Sequence, residues 1–244
     1  MAGHSHAKTV RKTKEANAQK RAQLFSKAIR LISVAVRQGG GNPETNPKLR
    51  MAIEIAKSYN VPKENIENAI KRALGEAGAS KFEEVIYEAY GPGGTALIIE
   101  GITDNKNRTF NEIRQVLSRF NGKLVEEGAI RWMFERKGLI TIKLEDQKSE
   151  YQNKENLELA AIEAGAEDIE WQQNNLLVYT PISQLYEIKK ALEEKGIKIE
   201  EVSLDWKPKE VVSPKEEERK VLEKLFEALD ELDSVQEIYS NLAQ

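Results

Sequence analysis

The spacing of apolar residues changes once along the chain, near residues 75–81, and this change governs what the sequence can build. Before it, apolar residues recur every three or four positions, as on one face of a helix. After it, runs of alternating and continuous apolar residues appear between helical stretches, as strands require. Leu24, Phe25, Ala28, Ile29, Ile32, Ala35 and Val36 predict a first helix, stopped by Gly39-Gly40-Gly41. Asn46-Pro47 opens a second, because Asn caps and Pro tolerates the first turn. Its stripe is Leu49, Ala52, Ile53, Ala56 and Tyr59. Pro62 opens a third, with Ile66, Ala69, Ile70 and Ala73 inward and Gly75 at its end.

Beyond the switch, 84–90 and 95–101 predict a strand pair joined at Gly91-Pro92-Gly93-Gly94. Thr109-Phe110-Asn111-Glu112 matches a capping box before the stripe Ile113, Val116, Leu117 and Phe120. A further strand is expected over 130–134. Residues 139–144, 157–164, 168–172, 176–179, 182–195 and 197–204 then read strand, helix, strand, strand, helix, strand. That order is the ferredoxin-like motif. A second capping box at Ser213-Pro214-Lys215-Glu216 precedes a helix with Val221, Leu222, Leu225, Phe226, Leu229 and Leu232, and a strand is expected over 235–239. This last pair cannot bury its apolar faces alone, so it is expected to complete the domain begun at residue 84. The fold class is therefore α+β: an N-terminal three-helix domain and two ferredoxin-like α+β domains, one inserted in the other. The expected boundaries are a flexible basic tail (1–21), a helical domain (22–75), a discontinuous α+β domain (82–135 and 208–244) and an inserted one (136–207).

Charge follows the same division. Residues 1–75 hold 15 Lys and Arg against 5 Glu, and the remaining residues hold 22 against 35 acidic ones. A net charge of −3 hides this split. A cationic end on an acidic body suits a polyanion. The chain has no cysteine, which excludes disulfides and thiolate metal sites and fits a cytoplasmic location. No apolar run approaches the roughly 20 residues of a membrane span, so no membrane association is expected.

Catalysis finds little support. Both histidines, His4 and His6, lie on the expected tail, where nothing would hold a general base against a substrate. No nucleophile elbow or phosphate-loop lysine motif is present, so an enzyme and a small-molecule substrate are not expected. Ala2-Gly3-His4 would, with a free amine at Ala2, match a square-planar copper or nickel chelate. Exposed tails of this kind bind metal incidentally, and no metal or cofactor is expected.

The candidate partner is nucleic acid, either duplex DNA or ribosomal RNA, with the ribosome itself as a possible assembly. Lys and Arg neutralise phosphates and release counterions irrespective of base sequence. The candidate residues are His4, Lys8, Arg11, Lys12, Lys14, Lys20 and Arg21 on the tail, and Lys27, Arg30 and Arg37 on the first helix. Lys106 and Arg108 join them, because their loop leads into a helix N-terminus where unpaired N–H groups favour an anion. A monomer is expected.

Several motifs resemble the YebC/PmpR family. They are Met1-Ala2-Gly3-His4-Ser5, Phe25-Ser26-Lys27 with Ile29-Arg30, and Gly39-Gly40-Gly41-Asn42-Pro43 followed by Asn46-Pro47. Pro62-Lys63-Glu64-Asn65-Ile66-Glu67, Tyr90-Gly91-Pro92-Gly93-Gly94, Thr103-Asp104-Asn105 with Asn107-Arg108-Thr109, and Phe134-Glu135-Arg136-Lys137-Gly138 continue the match in order. The resemblance implies three domains, the last inserted into the second, and no enzymatic activity. It implies a DNA-binding transcriptional regulator or, as for relatives that include a mitochondrial translational activator, a ribosome-associated factor easing difficult peptide-bond formation. One departure is Ala7, Thr9 and Val10, where the family commonly carries Trp and Asn-Ile. Alanine cannot stack on a base, so charge must carry more of any tail contact.

Overall fold

The computed structural model describes residues 18–75 and 81–243. The expected tail cations His4, Lys8, Arg11, Lys12 and Lys14 lie outside the described residues. Helix α1 (Ala18–Gly39) begins earlier than the apolar stripe implied, because 18–22 are strong helix formers that need no buried face to propagate. Helices α2 (Pro47–Ser58) and α3 (Lys63–Gly75) follow. Ala28, Ile32, Leu49, Ala52, Ala56, Ile66 and Ala69 form their shared core.

The turn between α1 and α2 is built around Asn46. Its Oδ1 accepts the Leu49 N–H at 3.1 Å, capping α2, while its Nδ2 donates to the carbonyls of Ala35 and Gly40, both at 2.8 Å. Gly40 takes φ +83°, and a Cβ on Gly39 would stand 2.7 Å from the Asn46 amide. The glycine run therefore has a structural cause. Asn46→Ala is expected to destabilise the helical domain by about 2–4 kcal/mol, losing a cap and two further hydrogen bonds, one of them buried. Thermal unfolding monitored by circular dichroism measures this, and an unchanged midpoint would remove Asn46 from its central place.

The first sheet contains β1 (Glu83–Tyr90), β2 (Ala96–Thr103), β3 (Lys123–Val125) and the late strand β8 (Val235–Ser240), in the order β3-β1-β2-β8. All pairs are antiparallel, and the central pair is a local hairpin. Helices α4 (Lys106–Arg119) and α7 (Glu216–Asp230) cover one face, with Leu97, Ile99, Ile113, Leu117, Leu225 and Phe226 between. The second sheet contains β4 (Phe134–Lys143), β5 (Asp168–Gln172), β6 (Asn175–Thr180) and β7 (Glu201–Pro208), in the order β5-β6-β4-β7. Helices α5 (Lys154–Glu163) and α6 (Leu185–Glu194) pack on it through Ile140, Ile142, Leu157, Val178, Ile188 and Leu192. Its connectivity is that of the ferredoxin-like motif.

Two compact units divide the described chain: residues 132–211 with 243, and residues 18–75, 81–131 and 212–242. The three helices fall in the same unit as the first sheet. Some expectations shift locally. Asn105, not Thr109, caps α4 by accepting the Arg108 N–H at 3.0 Å; Thr109 turns inward and hydrogen-bonds Thr103 Oγ1 at 2.8 Å. The strand expected over 130–134 is a 3-10 turn at Arg131–Met133. Backbone donors at its first residue and in the loop before it go to a side chain: Glu88 accepts the N–H groups of Gly128, Ile130 and Arg131 at 2.8, 2.9 and 3.1 Å.

Candidate nucleic-acid interface

The described helical segment 18–75 carries 11 Lys and Arg against 4 Glu. Lys20, Arg21 and Arg37 of α1 are exposed, as are Lys48, Arg50 and Lys57 of α2 and Lys63, Lys71 and Arg72 of α3. Several are partly committed within the domain. Lys48 Nζ contacts Gln38 Oε1 at 2.7 Å and Glu84 at 3.8 Å, and Arg50 donates to the carbonyls of Pro43 and Glu44 at 3.2 and 3.1 Å. Lys63 stands 3.6 Å from Glu67, an exposed pair that contributes little energy. The α2 and α3 cations lie off the apolar stripes of their helices, but nothing in their spacing singles them out.

Two of the sequence candidates face inward. The Lys27 side chain is only 2% exposed. Its Nζ donates to Asp230 Oδ1 at 2.8 Å and to the Asp230 carbonyl at 2.9 Å. Asp230 ends α7, where the helix dipole also favours a cation. Gln23 donates to the same carbonyl. Arg30, with 15% of its side chain exposed, donates to the carbonyls of Asp233 and Ile102 and stands 3.6 Å from the Asp233 carboxylate. Its guanidinium also lies 5.5 Å from the Phe82 ring centre. Against the expectation of an outward-facing cation, the Lys27 ammonium is buried among protein acceptors.

Helix geometry explains the inward turn. At about 100° per residue, Gln23, Lys27, Arg30 and Val34 fall on one side of α1. Phe25, Ala28 and Ile32 fall on the opposite side, in the helical core. Helix α1 is thus packed on two opposite faces, one aliphatic and one largely polar.

The α4 N-terminus is also internally matched. Lys106 Nζ lies 2.9 Å from Glu83, and Arg108 lies 2.6 Å from Asp104 and 3.9 Å from Glu112. Lys106 and Arg108 therefore do not add uncompensated charge there. Among the described residues, no group of three or more His, Asp or Glu side chains is arranged to hold a metal ion. No helix among them is long and apolar enough to cross a membrane.

Comparison with known proteins extends over nearly the whole chain. Residues 5–76 match the model described as the TACO1/YebC protein N-terminal domain, and residues 82–242 match the TACO1/YebC second and third domain. A "Probable transcriptional regulatory protein" of Pseudothermotoga lettingae is 46% identical over 241 residues, covering 99% of this chain and 93% of that protein. One of the same description from Halothermothrix orenii is 47% identical over 243 residues, covering 99% and 94%. The crystal structure of a conserved hypothetical protein from Aquifex aeolicus superimposes with a TM-score of 0.85 at 45% identity, covering 94% of this chain and 92% of the other.

Proposed function

The chain belongs to the TACO1/YebC family, and on that footing we propose that it is a non-enzymatic cytoplasmic regulator of gene expression that grips nucleic acid through its N-terminal helical domain. The observation that carries this reading is the surplus of exposed Lys and Arg on α1, α2 and α3 beside an acidic remainder. Relatives described as transcriptional regulatory proteins support the regulatory role. Lys20, Arg21 and Arg37 contact phosphates, together with His4, Lys8, Arg11, Lys12 and Lys14 of the N-terminal segment. Lys27 and Arg30 are left out because both side chains are engaged by protein acceptors. Lys106 and Arg108 contribute less, each standing beside carboxylates.

DNA-binding transcriptional control is the first form of this reading. Docking on ribosomal RNA as a translation factor is the second. One observation favours the second: α1, the longest helix, is packed on two opposite faces and is not free to lie in a major groove. Phosphate-led docking on folded RNA needs no such helix.

Fluorescence anisotropy of the full chain with a duplex of about 20 base pairs and with a structured ribosomal RNA fragment tests the reading. Affinity is expected to fall steeply with salt for at least one of them. Replacing Lys20, Arg21 and Arg37 together by Gln should weaken binding about tenfold and flatten the salt slope by about 2–3. Salt-insensitive binding, or binding untouched by the triple substitution, rejects the proposed surface. Crosslinking in cells then separates promoter fragments from ribosomal RNA.

A further inference from the structure

Building on the phosphate-binding reading, we infer that Lys27, with Gln23 and Arg30, is a positioning residue that locks the cationic helices against the end of α7, so that their exposed charges act as one rigid surface.

The seam is polar and specific, enclosed at Lys27 and open to solvent at Asp233. Three side chains at positions i, i+4 and i+7 of α1 meet acceptors more than 70 residues distant in sequence. The Lys27 ammonium has both a carboxylate and a helix-terminal carbonyl, and Arg30 reaches two carbonyls, one on β2 and one in the turn after α7. A buried pair of this kind contributes little net stability over an apolar seam of the same size, yet tolerates only a narrow geometry. Its effect is to fix orientation. Helices α2 and α3 pack on the other face of α1, so orienting α1 orients every exposed cation of the domain. The seam also matches Asp230 and Asp233 with internal cations. A loosened α1 would leave those carboxylates to compete with phosphates at high effective concentration.

Charge-opposite substitutions separate this role from direct contact. Lys27→Met removes a cation and Asp230→Asn removes an anion. Positioning predicts that both weaken nucleic-acid binding, by about tenfold, a typical size for coupled pairs. A phosphate-contacting Lys27 predicts opposite signs, with Asp230→Asn binding more tightly. The double variant Lys27→Met with Asp230→Leu replaces the polar pair by an apolar one and is expected to restore binding to within about threefold. All titrations are made well below each variant's unfolding midpoint. Full wild-type affinity in both single variants, or opposite signs between them, overturns the inference, as does failure of the double variant to recover.

A second readout does not depend on nucleic acid. The chain has no cysteine, so spin labels at Asn68→Cys on α3 and Gln115→Cys on α4 would be unique. A single narrow distance distribution is expected, broadening with Lys27→Met and narrowing again in the double variant. An unchanged distribution in Lys27→Met rejects the lock. A broadened distribution in a protein that binds neither duplex nor RNA would retain the lock while rejecting the phosphate-binding reading.

Discussion

Glu88→Ala is expected to destabilise the unit containing the first sheet by about 3–5 kcal/mol, the range for breaking a buried, hydrogen-bonded charge cluster. The Glu88 side chain is 1% exposed. Its two oxygens accept three backbone N–H groups from Gly128, Ile130 and Arg131, and Oε1 stands 3.1 Å from the Arg131 guanidinium. Alanine would leave those donors facing an empty space on β1. Glu88→Gln keeps one good acceptor and is expected to cost about half as much. The midpoint of urea unfolding measures both, and a shift under about 0.5 kcal/mol for Glu88→Ala would contradict the assignment.

The same cluster sets a pH dependence. Burial by itself would raise the Glu88 pKa, but the three N–H donors and the Arg131 charge outweigh it and hold the carboxyl below its ordinary value. A carboxyl whose folded pKa is depressed contributes stability above its unfolded pKa. That contribution is lost as pH falls through the ordinary glutamate range and on through the folded value. Stability should therefore drop on acidification below about pH 4.5, the ordinary glutamate value. The drop should be shallower in Glu88→Gln, where no carboxyl remains to titrate. Parallel acid profiles for the two proteins would show that other groups govern acid unfolding.

Gly101→Ala is expected to cost about 3 kcal/mol, at the upper end of overpacking effects. Gly101 lies where the β2–β8 register slips between Glu100 and Gly101. A Cβ there would stand 2.6 Å from the Ser234 carbonyl oxygen and 3.2 Å from Val85 Cγ2. The first of these is backbone and cannot rotate away. The same carbonyl accepts the Ile102 N–H at 2.8 Å, so moving it breaks a hydrogen bond as well. A chemical-denaturation midpoint equal to the wild type would mean that β8 shifts freely. By contrast, Gly94→Ala meets no atom within 4 Å but has φ +73°, so it reports backbone strain alone and should cost less.

Much of the fold was legible in residues 22–75 and 139–204 because each element there carries a local cause. Asn46 and Pro47 mark the start of α2, and the aliphatic stripes mark which faces meet. Elements without such a signal were missed. Strand β3 has three residues, too few for alternation to register. The first half of β4, at Glu135-Arg136-Lys137, is charged because Lys137 meets Glu135 and Glu167 in ion pairs at 2.8 and 2.7 Å. Cross-strand and loop partners of that kind cannot be read from one segment.

By itself the sequence determined the family, the change from helical to strand periodicity, and the separation of a cationic end from an acidic body. These are properties of composition and of neighbours a few positions apart, and they survive in any conformation. Only the tertiary structure decided which cations remain outside. Lys20 and Lys27 are the same residue type on the same helix, seven positions apart. One is exposed, and the other is enclosed by Asp230, 203 residues along the chain. The energy of an ionic group depends on what surrounds it in space, and a contact across that separation exists only once the chain has folded.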